Sequence, residues 1–334
     1  MFIGVVGVTL AVSGSLFAAA PDEAVVQGLY EGTCTDASGN STLEARVVAQ
    51  GNGTYKVLAR RDAAKKNITK IELSGKTEGE AVTFSGKAGD VEWKGSYASG
   101  SITGSIGEGN KFSLKRVERL SPSIGKKPPK GAVVLLDGKS LDEVTKVNKT
   151  DWSAEEKTFG EDGSIQVPKS GMNSKRQFEG SFDLHVEFKC PLRSSAHSQG
   201  RGNSGVFLPS GDEIQVLDSF GEATYTGGGC GGFYKYKNPD TMEIIDSLGD
   251  KPDNKYNLSS APPLQWQTYD VEYRVQKKDG KYAGKPRVTV YHNGIKIHDN
   301  VEIGRVAKSG NFHFQDHGNP VRYRNIWVVP VEEK

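Results

Sequence analysis

Apolar and polar residues alternate with period two along most of the chain, the mark of strands that bury one face. Leu43, Ala45, Val47 and Ala49 share a face, and Val82 and Phe84, Val91 and Trp93, Ile102 and Ile106, Phe112 and Leu114 repeat the pattern. Turn signals at Gly51-Asn52-Gly53, Gly89-Asp90, Ser99-Gly100 and Gly109-Asn110 cut these runs at hairpin spacing. Residues 24–118 therefore read as a small antiparallel β meander or barrel. Residues 119–131 carry three prolines, which forbid a helix and make a stiff linker. Residues 132–334 hold about ten further short runs, which is sandwich spacing. Phe182, Leu184, Val186 and Phe188 line one face of the longest early run, and Asn293-Gly294 is a strong hairpin signal. No segment has the period of an amphipathic helix. The chain is expected to be all-β.

Length and composition refine this picture. A chain of 334 residues suits two domains, and 25% charged with 9% aromatic residues allows a packed core. The formal net charge of +2 argues against a nucleic-acid partner. Residues 1–20 have no charged side chain and end in Ala18-Ala19-Ala20, as a signal peptide does. Cleavage there predicts a periplasmic or extracellular protein with no lasting membrane span; the alternative is a single membrane anchor. Of the three cysteines, Cys190 and Cys230 can pair within the second unit and leave Cys34 odd; the alternative is free thiols. Their spacing matches no zinc pattern.

Two strands carry candidate chemistry. From Glu213 to Val216, Glu213 and Gln215 point one way and Ile214 and Val216 the other. From Phe312 to Gly318, the two phenylalanines at 312 and 314 oppose His313, Gln315 and His317. Such strands can line a polar cleft. Glu213 is a candidate base or metal ligand, or else an exposed strand carboxylate. His317, entering a turn, can shuttle a proton or simply bond backbone. His313 lies about 13 Å from His317 along a straight strand and reads as a solvated strand residue. Arg324 can grip an oxyanion with its fork of donors, or form a structural ion pair. Asp218, of opposite parity to Glu213, reads as a turn cap. Asn203 and Gln315 can bind hydroxyls or end a ladder. Tyr234 or Trp266 can stack on a pyranose, although core burial is favoured for Trp266. The run Gly227 to Gly232 is not a phosphate loop, because no Gly-Lys-Ser/Thr follows it. The long polar stretch 238–263 is expected to be a loop over one end of the sandwich.

Six segments of the second unit, taken in order, resemble the 3-keto-disaccharide hydrolase family. They are Val134-Leu135-Leu136-Asp137-Gly138-Lys139, Gly202-Asn203-Ser204-Gly205-Val206, Glu213 to Ser219, Gln265 to Asp270, His292-Asn293-Gly294 and Gln315 to Ile326. The family is common in exported proteins of sugar-degrading bacteria. The resemblance covers about 200 residues and leaves the first unit outside. It implies a concanavalin-like jelly-roll β-sandwich and action on glycosides oxidised at C3. Glu213 and His317 are then expected to transfer protons. Asn203, Gln215, Tyr234, Gln315 and Arg324 are expected to hold an oligosaccharide or glycoside, with a divalent metal near Glu213 as a possible aid. Leu208-Pro209, where relatives often place a polar or basic residue, and the long 238–263 stretch depart from the family pattern. The competing function is a carbohydrate-binding or adhesion module without catalysis.

Overall fold

The computed structural model describes residues 21–36, 39–61, 69–222, 224–240 and 259–332. The expected signal segment 1–20 lies outside the described residues, as does most of the 238–263 loop. Eight antiparallel strands form a closed barrel: β1 (Gly28–Asp36), β2 (Gly39–Gly51), β3 (Thr54–Arg61), β4 (Thr69–Glu78), β5 (Ala81–Ala88), β6 (Val91–Ala98), β7 (Ser101–Ile106) and β8 (Asn110–Val117). Closure comes from β1, which pairs with both β2 and β8 and so leaves no edge. Most of the expected inward residues are inward: Leu43, Ala45, Val47, Ala49, Phe84, Trp93 and Phe112 share one core, whereas Val91, at the start of β6, is exposed. A four-residue helix, α1 (Glu23–Val26), buries Val26 against this core, and the Tyr30 hydroxyl donates to the Val26 carbonyl.

Fourteen further strands follow: β9 (Val133–Leu136), β10 (Val144–Lys146), β11 (Ile165–Gln166), β12 (Met172–Ser174), β13 (Ser181–Lys189), β14 (Ser204–Phe207), β15 (Glu213–Val216), β16 (Gln267–Arg274), β17 (Lys277–Lys278), β18 (Lys281–Tyr282), β19 (Arg287–His292), β20 (Ile295–Glu302), β21 (His313–Phe314) and β22 (Arg322–Val331). They build a five-stranded sheet in the order β10-β12-β21-β14-β15 and a seven-stranded sheet in the order β11-β22-β13-β16-β19-β20, with β9 also on β22. The two sheets face each other across one core, as a jelly-roll sandwich requires. Phe314 of one sheet meets Tyr323 of the other edge-on at 5.3 Å, and the Tyr323 hydroxyl pairs with that of Ser204 at 2.7 Å. The hairpin β19–β20 turns at Asn293 and Gly294, both at positive φ, the backbone a tight primed turn demands. Cys34, Cys190 and Cys230 are buried and form no disulfide among the described residues.

Two devices join the units. Arg201, fully buried, pairs with Asp218 at 2.9 Å and donates to the Ala49 carbonyl of β2. Glu222 accepts from Gln50 and Lys56 of the barrel. The proline-containing linker does not hang free. It is strapped across the outer face of the seven-stranded sheet. Ser123 donates to Asp270 at 2.5 Å, the Gly125 amide donates to Glu187 at 2.6 Å, and Asn325 and Trp327 donate to the Lys126 carbonyl.

Beneath this strap His185 is wholly buried between Asp270 (2.8 Å) and Glu187 (3.5 Å) and stacks on Trp327 at 5.0 Å. Burial opposes charge on Glu187, but hydrogen bonds from His185, Asn325, Arg324 and Gly125 prevail and hold its carboxyl down at about 2. Burial also opposes the imidazolium of His185, yet the Asp270 and Glu187 hydrogen bonds raise its pKa. A depressed carboxyl stabilises the fold above its ordinary 4.5 and loses that contribution as pH falls through about 2. A raised imidazole contributes fully below its ordinary 6.5 and loses it as pH rises through the folded value. The melting temperature should therefore be highest between about pH 4.5 and 6.5 if this network dominates. Glu187→Gln should flatten the acid side of a Tm-against-pH curve, with at most about 3 kcal/mol at stake. An acid limb identical in both proteins would show that the network is silent.

Candidate functional site

The outer face of the five-stranded sheet is built by parity. Ile214, Val216, Val206, Phe314 and Met172 point into the core, so their neighbours point out. The register then sets one row of outward side chains across all five strands: Thr145, Asn173, His313, Phe207 and Glu213. A second row lies one pleat further on, where Gly205 faces Gln215 and its carbonyl accepts from the Gln315 amide. Glu213 and His313 thus flank Phe207 from either side, about 10 Å apart at the backbone, two strand spacings. The Gly-rich segment after Gly227 covers the β15 edge: Gly231 and Tyr234 amides donate to the Gln215 and Glu213 carbonyls.

Glu213 is buried, and among the described residues no cation is placed to neutralise it; burial pushes its carboxyl up to about 7. Its side chain leans over Gly205, where a Cβ would stand 2.2 Å from Oε1. A methyl there must displace the carboxylate. The displaced group is the end of a flexible side chain, so Gly205→Ala should change Tm little while moving Glu213 off its position. Any activity that uses Glu213 should fall by at least about tenfold, since small misplacements of a reacting group are costly. Equal activity in the alanine variant would detach Glu213 from function.

Tyr234 stands beside Glu213 as half of a phenol pair. Its hydroxyl meets that of Tyr225 at 2.7 Å, with the rings edge-on at 6.1 Å. Burial, the Tyr234 contact and the Glu213 charge push Tyr225 up to about 12, so its phenol stays protonated at neutral pH. Asn203 and Gln215 meet through Gln199, whose Oε1 accepts from both amides while its Nε2 donates to Thr224 and the Gly228 carbonyl. The amide oxygens of Asn203 and Gln215 are enclosed without a donor. Both side chains are buried and stiffen the face. Gln315 is half-buried on the face itself.

His313 is not the solvated strand residue expected. Its ring is half-buried 5.1 Å from Phe207, its Nδ1 lies 2.9 Å from Asn173 Oδ1, and burial lowers its pKa. His317 sits exposed in the turn after β21, where Asp316 Oδ2 accepts from the Ser170 amide and Asn319 donates to the His317 carbonyl. Asp218 caps a turn, as expected, by accepting from the Phe220 amide, and its charge partner is Arg201. Leu208, one of the departures from the family pattern, is a core residue of the sandwich.

Arg324 does not join this group. It lies on the outer face of the other sheet, where its Nε donates to Glu187 at 2.7 Å and its guanidinium stacks 4.1 Å over Trp266. Trp266 is accordingly not a core residue: Lys189 and Arg324 lie over its ring, and its indole donates to Asp162. Gln199 and Tyr225 escaped the sequence reading, and nothing local marks either of them. Among the described residues no three His, Cys, Asp or Glu side chains group as a metal-ligand set.

Comparison with known proteins bears on the same region. No curated protein matches the chain. A solved structure described as a "putative glycosyl hydrolase" from Parabacteroides distasonis ATCC 8503 is 31% identical over 61% of this chain and 85% of its own, with a TM-score of 0.47. Residues 131–329 match the model of the 3-keto-alpha-glucoside-1,2-lyase-like domain. The match takes in both sheets of the sandwich and excludes the barrel, and on this ground the chain belongs to the 3-keto-alpha-glucoside-1,2-lyase-like family.

Proposed function

We propose that the outer face of the five-stranded sheet is the active site of an exported enzyme that cleaves glycosides bearing a ketone at C3. Family membership supports a carbohydrate substrate. The single observation that carries the chemistry is Glu213, a buried carboxyl brought to about 7 by desolvation with no cation beside it among the described residues. Such a group is poised to exchange protons at neutral pH.

A C3 ketone acidifies the C2 proton. Glu213 takes that proton as the C2–H bond breaks, and the electron pair delocalises into an enolate over C2, C3 and the ketone oxygen. When the ketone re-forms, the pair becomes a C1=C2 double bond and the C1–O bond to the aglycone breaks. His317, at the open end of β21, returns a proton to the leaving oxygen. Gln315 and the Tyr234–Tyr225 pair donate to sugar and enolate oxygens, while Asn203 and Gln215 hold the face in place through Gln199. The product is an unsaturated keto-sugar; addition of water to it completes a hydrolysis.

The test is a 3-keto-glucoside with a chromophoric leaving group, set beside the same glucoside unoxidised. The expected result is release from the keto-sugar alone, with deuterium entering C2 of unreacted substrate in heavy water. Binding without release or exchange points instead to a carbohydrate-binding module. Release from both sugars would mean ordinary glycosidase chemistry, which needs no acidic C2 proton.

A further inference from the structure

The barrel lies outside the family match, yet its outer wall carries an ordered polar surface. Gly32, Gly95 and Gly104 occupy inward positions where a Cβ would strike backbone or the Phe112 ring: 2.0 Å from the Ser113 carbonyl at Gly32, 2.9 Å from Phe112 at Gly95, and 2.0 Å from the Lys94 carbonyl at Gly104. Without side chains there, strands β6, β7, β8 and β1 draw in around Phe112, and the outside of the wall becomes a shallow, widely open trough of about 760 Å³.

The register arranges the trough's walls in two rows running across the strands. One row is Ser96, Thr103, Ser113 and Thr33, continued by Thr83 on β5 and Thr42 on β2. The other is Lys94, Ser105, Lys111 and Thr35. Hydroxyls therefore recur every strand spacing, about 4.8 Å, along a line perpendicular to the strands. The two ammonium groups sit on alternate strands, roughly 10 Å apart at the backbone. No aromatic ring stands on either outward row, and Phe112, which reaches the trough from the inward side, is buried in the barrel core and does not offer a face to a neutral pyranose. Glu92 is the acidic neighbour; it pairs with Lys94 at 3.0 Å with both side chains more than half exposed, a contact that a ligand anion can replace.

We infer that this trough binds a linear anionic polysaccharide lying across the strands. Its carboxylates meet Lys94 and Lys111 at the repeat of two residues of an extended glycan, and its hydroxyls meet the Ser and Thr rows. The site is separate from the Glu213 face and would hold the enzyme on a polymer while the sandwich works on nearby glycosides.

The experiment is affinity electrophoresis of the full chain in polygalacturonate, with fully methyl-esterified polygalacturonate as the uncharged control. The wild type should be retarded by the acid and not by the ester, and less so as salt is raised. The double variant Lys94→Ala/Lys111→Ala should bind about tenfold more weakly, the sum of two exposed charge contacts. Thr103→Trp keeps both lysines but fills the trough, and should weaken binding at least as much. Turnover of a 3-keto-glucoside and the melting temperature should be unchanged in both variants, which separates this site from the proposed catalytic face. Absence of retardation, equal retardation by the ester, or full binding by Thr103→Trp each overturns the inference.

Discussion

Glu213→Gln is expected to abolish release of the aglycone from a 3-keto-glucoside, by about 10²- to 10⁴-fold in kcat, the usual contribution of a positioned base. Glutamine keeps the shape of the side chain over Gly205 and removes only the ability to take a proton. The fold should not suffer, because Glu213 has no charge partner among the described residues and its ionised form is itself penalised by burial. The pH profile is the sharper readout. A base must be deprotonated, and burial holds Glu213 at about 7. In the wild type, kcat/KM should rise about tenfold per pH unit up to roughly that value and then level. The residual rate of the glutamine variant should lack this limb. A wild-type profile that is flat from about pH 5 to 8 would remove Glu213 from the role of base, whatever the variant's activity.

The second large effect concerns stability. Arg201 and Asp218 are both fully buried and paired at 2.9 Å, and Arg201 also donates to the carbonyls of Ala49, Ser194 and Ala196. Arg201→Met should destabilise the protein by about 3–5 kcal/mol, because it leaves a carboxylate enclosed without its cation. Burial then drives Asp218 to take up a proton, the direction in which it already tends. Changing Asp218→Leu as well should restore much of the loss, since two apolar side chains need no desolvation of charge. Thermal melts of the two single variants and the double variant measure the coupling. Additive losses would show that the backbone contacts to Ala49 and the 194–196 loop, rather than the ion pair, carry the stability.

Much of the fold was legible because a strand writes its buried face into every second residue. Leu43 to Ala49, Phe182 to Phe188 and Phe312 with Phe314 all face cores as their parity requires. What escaped was short. Strands β10 and β12 have three residues each, too few to show a period, yet they carry Thr145 and Asn173 into the row that ends at Glu213. The strap was read only as stiff. Its attachment rests on single hydrogen bonds to residues more than 60 positions away, which no local pattern reports.

For the site, the sequence by itself determined which residues turn away from a core: Glu213 with Gln215, and His313 with Gln315. Parity follows from the pleat and needs no partner strand. Which of two outer faces each residue joins was decided only by the tertiary structure, because a sandwich has two such faces and parity is the same on both. Hydrogen-bonded register set His313 in the row that ends at Glu213, while pairing of β22 with β13 carried Arg324 to the opposite side beside Glu187. The pKa of Glu213 was likewise a tertiary outcome, since desolvation depends on what is packed around a carboxyl rather than on its neighbours in the chain.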